Sequence, residues 1–186
     1  MINKHILIWL FYFCLGSDLM FSQTVVPIES DMISTKSGLD VYLDQQQLGV
    51  TPIEINLRSD RNHLIEFKNK SSEVTHRVSI IARIVPDVGK SDFKPNWFTS
   101  PDYALSSHSN YDTAVSYDRS RSPNIMFQKA LSSAVNNLES QKSGGRSSPN
   151  PPSLSSIESM NIEILECVIL YDTQSYGVFM MVGRTK

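Results

Sequence analysis

"VYLDQQQLGVTPIEINL" (Val41–Leu57) decides the fold. Val41 and Leu43 alternate with polar neighbours, and so do Ile53, Ile55 and Leu57. Strict period-two alternation predicts half-buried antiparallel strands. Between the runs lie a polar segment and a Gly-x-Thr-Pro corner. Asp44 closes the first run. Gly49 is expected to take positive φ where the chain reverses. The Thr51 hydroxyl can bond nearby backbone. Pro52 fixes φ and donates to no ladder, so it belongs at a strand start or edge. The stretch carries no acid, base or ligand cluster and reads as shape.

Outward from it, the β pattern continues. "HLIEF" (His63–Phe67) is less regular, and Val74–Val85 is long and β-branched. Residues 24–37 are a lead-in of mixed pattern. The clearest later element is a helix. Ser122 suits its cap and Pro123 its first turn. Phe127, Ala130, Leu131, Ala134, Val135 and Leu138 recur at helical spacing, with Lys142 and Gly144 as stop signals. Its apolar face is expected to pack on a sheet. Residues 143–156 are rich in Ser, Pro and Gly and bury too little to offset ordering entropy, so disorder is expected there. Strands are expected near 161–171 and 177–183, with a turn at "DTQSYG". The expected class is α+β: a small antiparallel β domain over 31–86, then an antiparallel sheet packed by one amphipathic helix over 92–186.

The corner resembles the PEGA domain, a small β module of exported and membrane-attached bacterial proteins. Val41, Leu43 and Asp44 match its first strand and acidic end. Leu48, Gly49, Thr51 and Pro52 match its corner, Ile53, Ile55 and Leu57 its second strand, and His63, Leu64, Ile65 and Phe67 its third. Gln45 stands where the family often has Gly. The turn glycine before the third strand is also missing, and Asn62 is the expected left-handed residue there. The second half, from "KPNWFTSP" onward, resembles the LPP-twenty-like lipoprotein domain of bacterial envelopes. Pro95, Trp97, Ala114, Val115, Ala130, Ala134, Leu138, Tyr176 and Val178 carry that likeness. Ser116 replaces the family's strand glycine. Both resemblances imply an envelope address, and neither supplies a catalytic residue.

The N-terminus points the same way. In "MINKHILIWLFYFCLGSDLMFS" (1–22), Lys4 precedes an apolar run too short to span a bilayer. This predicts a signal peptide cut after Ser22. Cys14 would leave with it, and its bulky neighbours Tyr12 and Phe13 do not suit lipidation. Cys167, the other of two cysteines, then has no partner for an internal disulfide and reads as a buried small hydrophobe. The expected location is the periplasm or cell surface of a Gram-negative bacterium, with membrane association only through the N-terminus.

The chain of 186 residues has 17 basic and 19 acidic side chains. The balance of −2 persists without Lys4 and Asp18 and argues against a nucleic-acid partner. His63, His76 and His108 lack the close spacing of metal ligands and read as surface or hydrogen-bonded residues. No cofactor or metal is expected. The Gly-Lys-Ser triplet at Gly89–Ser91 lacks the earlier glycine and following helix of a phosphate loop. The set Trp97, Phe98, Tyr103, Tyr111 and Tyr117 is interleaved with Ser, Asn and Asp. It reads either as a surface for a glycan or protein, or as core, with Trp97 and Tyr117 plugging the space beneath the helix. The expected role is a non-catalytic interaction or spacer function, binding an envelope protein, glycan or wall component. The alternatives are an assembly accessory factor and a hydrolase whose residues lie on loops such as 98–118.

Overall fold

A computed structural model describes residues 25–34, 36–100, 103, 106–142 and 160–186. The expected leader, the stop signal Gly144 and the Ser/Pro loop lie outside the described residues.

The alternating segments fold as strands. They are β1 (Val25–Glu29), β2 (Asp40–Leu43), β3 (Gln46–Val50), β4 (Glu54–Arg58), β5 (Asn62–Lys68) and β6 (Val74–Ile84). A short helical turn α1 (Asn96–Thr99) and β7 (Tyr111–Ser120) follow. The helix α2 (Pro123–Lys142) comes next, then β8 (Ile162–Tyr171) and β9 (Tyr176–Thr185). The protein is α+β. Seven strands form one sheet in the order β3-β2-β5-β6-β8-β9-β7, and β1 pairs with β4 in a separate ribbon.

The sheet is not wholly antiparallel. β6 runs parallel to β8, with Ser79–Ile84 opposite Glu166–Tyr171. A long connection between them makes a parallel pair sterically accessible. This ladder carries one sheet across the boundary expected between residues 86 and 92. The first core layer is continuous too, running from Val26 and Ile28 through Ile65 and Phe67 to Phe127, Cys167 and Met180.

Period-two alternation divides the sheet into two faces. On the first face lie the β1–β4 ribbon and α2. The helix packs on β7 and β9. Its small Ala130 and Ala134 let the backbone approach closely, and both are fully buried. Ser116 donates from Oγ to the Ala130 carbonyl (2.6 Å). Asn137 Nδ2 donates to the Val115 carbonyl (2.9 Å), blunting the outer edge of β7.

The corner departs from its expected geometry. Gly49 lies inside β3, opposite Val41, without positive φ. Its lack of a side chain serves space, since a Cβ would meet Ile53 Cδ1 at 2.7 Å. The reversal falls earlier, at Asp44 (φ 50°) and Gln45 (φ 74°). The left-handed residue before β5 is Asp60 (φ 59°) rather than Asn62. Thr51 acts as expected: its hydroxyl accepts from Leu39 N–H (3.1 Å) and donates to the Lys36 carbonyl (2.8 Å). Pro52, after a cis bond, stands just before β4.

Candidate functional site

The second face of the sheet has two regions. Over β9 and β7 lies an aromatic shelf. Phe98 meets the Phe179 ring edge-on at 4.8 Å, and Tyr117 lies over it at 4.4 Å. Trp97 is buried beside Phe98. Trp97 and Tyr117 therefore sit on the face opposite α2 and not beneath the helix. The cause is parity: Ala114 and Ser116 take the helix side of β7, so Tyr117 must point away. Tyr103 is 40% exposed and stacks on none of these rings among the described residues.

Farther along the same face, over β5, β6 and the start of β8, no helix or strand among the described residues packs on the sheet. Side-chain pairs clothe the surface instead: Arg77 on Glu66 (2.7 Å) and Ser79 on Asn62 (2.8 Å). Beside them opens a groove of about 480 Å³, lined by Leu64, Arg77, Ser79, His108, Tyr111 and Glu163.

Local structure sets the polar end of this groove. A bulge in β8 falls between Ile164 and Glu166, where the β9 register shifts. It turns the consecutive Leu165 and Glu166 to the same face. His108 Nε2 then lies 2.8 Å from Glu166 Oε1, with both side chains mostly covered. The turn bearing His108 closes through Tyr111 N–H to the His108 carbonyl (2.9 Å). Lys186 pins it by donating from Nζ to the Ser109 carbonyl (2.8 Å). Tyr111 donates its hydroxyl to Glu163 Oε2 (3.2 Å). Burial, then the adjacent Glu163 charge, holds the Tyr111 phenol above its ordinary pKa. The groove thus offers an aromatic edge, a carboxylate acceptor, an imidazole and an exposed guanidinium, which suits a polar ligand with hydroxyl or amide groups.

Glycine spacing seats the tyrosines. A Cβ at Gly183 would meet Leu165 Cδ1 at 2.5 Å and the Tyr111 Cβ at 3.0 Å. A Cβ at Gly177 would meet Val88 Cγ1 at 2.8 Å and the Tyr117 hydroxyl at 3.0 Å. Gly183→Ala is expected to destabilise the fold by about 1–3 kcal/mol through overpacking. It should also displace Tyr111 from Glu163. Denaturant unfolding and the tyrosine's pH titration read the two effects.

The remaining candidates are structural. His63 is buried, with Nδ1 2.7 Å from Asp44 Oδ2 and Nε2 accepting from Arg58 N–H (3.0 Å). Asp44 also accepts from Leu64 N–H (2.9 Å). Those bonds and the charges of His63 and Arg61 outweigh its partial burial, the largest opposing effect, and lower its pKa. His76 is half-buried, and its Nε2 is covered with no hydrogen-bond partner among the described residues, unlike the expected surface or hydrogen-bonded setting. Cys167 is free and buried, and burial pushes its thiol pKa far up, which suits core packing rather than nucleophilic chemistry. No group of three metal-ligating side chains occurs among the described residues. No described helix is long and apolar enough to cross a membrane. Comparisons with protein-family models, curated proteins and solved structures give no match to this chain.

Proposed function

We propose that this protein is an exported, non-catalytic binding module of a bacterial envelope, holding a glycan, wall component or envelope protein in the groove of His108, Tyr111 and Glu163. The observation that carries the reading is the groove itself: concave, about 480 Å³, mixed polar and aromatic, on a stretch of sheet that no helix or strand among the described residues covers. The envelope address rests on the leader-like residues 1–22 and on the PEGA-like match from Val41 to Phe67. β1 begins at Val25, so a cut after Ser22 leaves every described element intact. In this reading the near-neutral chain takes no nucleic acid and meets a membrane only through its N-terminus. The experiment is fractionation of the tagged protein with mass analysis of its first residue. The expected result is an envelope or extracellular product beginning at Gln23. A cytosolic product retaining residues 1–22 overturns the address.

A second reading has one observation in its favour. His108 and Glu166 pair at 2.8 Å beside the Tyr111 hydroxyl, the convergence a loop-borne hydrolase would use for general acid–base work. Turnover of a panel of esters and glycosides, lost in Glu166→Gln, would favour it over simple binding. Stable capture of one envelope protein, with no retention on wall material, would favour the assembly role.

A further inference from the structure

The geometry points to a second site, apart from the groove: a phosphate-binding cleft where the end of β7 meets the β8–β9 turn. The cleft holds about 560 Å³. Its two carboxylates are already engaged by the protein's own donors. Asp172 takes Val88 N–H (2.8 Å) and Ser175 Oγ (2.9 Å) on Oδ2. On Oδ1 it takes Gln174 N–H and Ser175 N–H, both at 2.7 Å. Asp87 takes Gly89 N–H (2.8 Å) and the Lys90 ammonium (3.1 Å).

The donors lining the same cleft are not engaged in this way. Arg119 and Arg121 are exposed, and neither guanidinium has a carboxylate partner among the described residues. The Thr173 hydroxyl and Gln174 amide stand on the facing turn. The Arg119 guanidinium lies over Gly89, its Nη1 2.6 Å from where a Cβ would be, so glycine leaves it room there.

Two guanidiniums that only donate, beside carboxylates turned to the protein's own donors, give the cleft a charge that favours an anion over a neutral sugar. Two guanidinium forks, a hydroxyl and an amide offer more donors than a two-oxygen carboxylate can receive, and they suit the three terminal oxygens of a phosphate monoester. Lys90 offsets the Asp87 charge from outside the lining, so two guanidiniums, unpaired among the described residues, stand in the cleft with two carboxylates already bound to protein donors.

The test is titration of isotope-labelled protein with inorganic phosphate, followed at the amides of Gly89, Arg119, Arg121 and Thr173. Sedimentation with phosphatidylcholine vesicles, with and without phosphatidic acid, runs beside it. The expected result is saturable shifts confined to this cleft, weakened about tenfold or more in Arg119→Gln/Arg121→Gln. Retention on phosphatidic acid vesicles that needs both arginines identifies a lipid phosphate as the source. Phosphate shifts without vesicle retention identify a soluble one. Shifts that fail to saturate, or that persist unchanged in the double variant, overturn the proposal.

Discussion

Phe127→Ala is expected to lower stability by about 3–5 kcal/mol, because truncating a fully buried ring leaves a cavity that close-packed neighbours fill only partly. Phe127 belongs to the helix-side core, which also includes Val41, Phe67 and Val78 of the first strands. Trp97, the one tryptophan outside the expected leader, lies in the other core layer, across the sheet. Its fluorescence is therefore an independent reporter. In a single cooperative unit, Trp97 fluorescence and far-ultraviolet circular dichroism shift together to one lower denaturant midpoint. Two separated transitions would mean that residues 31–86 and 92–186 unfold on their own, despite the β6–β8 ladder.

The second large effect is a loss of stability in mild acid, arising from His76. Its ring lies near Phe67 (centroids 5.8 Å apart), and Nε2 has no partner among the described residues. Burial, with a smaller push from the Lys36 charge, lowers its pKa from 6.5 to about 4. The unfolded chain takes up this proton below pH 6.5, and the folded chain only near pH 4. Stability from this group is complete above pH 6.5 and falls as pH drops toward 4, by about 3 kcal/mol in all. Below that the His76 contribution is flat. Carboxylates whose folded pKa is lowered, such as Asp44 and Asp172, take over the decline at lower pH. Asp172 is held at about 2, first by the hydrogen bond from Val88 N–H and then by that from Gln174 N–H. Urea midpoints across pH 7 to 4 check this. His76→Phe should flatten the profile in that window, and an unchanged slope would show that the loss arises elsewhere.

Much of the fold was legible locally. The alternation at Ile53, Ile55 and Leu57 marked β4. The 3–4 spacing from Phe127 to Leu138 marked the buried stripe of α2. Two strands gave no such signal. In β3, Gln46 and Gln47 face solvent on an edge and need no apolar alternation. In β1, Pro27 weakens the pattern, and the strand tolerates it because its only partner among the described residues is β4. The pairing of Ser79 with Glu166 has no local signature, because register between distant strands follows from the whole core. Gly49 shows the same limit. Tertiary contact sets the space it leaves beside Ile53, while Asp44 and Gln45 make the turn expected of it.

The site was legible only in its parts. Tyr111 and Trp97 stood out by composition, but nothing in the chain joined Tyr111 to Glu163 or His108 to Glu166. Glu166 reaches His108 at the groove's edge because of a one-residue bulge. Gly183 matters because Tyr111 lies across it. A glycine two residues from the end of a continuous apolar strand was the one available signal, since glycine inside a strand often marks a close approach.

In the proposed function, the groove of His108, Tyr111 and Glu163 grips an envelope component. The most direct measurement is retention of purified protein on isolated wall and envelope material, comparing wild type with His108→Gln/Glu163→Gln. Lys94→Gln, on an exposed position away from the groove lining, serves as the control. Trp97 fluorescence verifies the fold of each variant. Retention of wild type and the Lys94 variant, with about tenfold weaker binding by the groove variant, is the predicted result. Equal retention of all three, or none by wild type, would contradict the account.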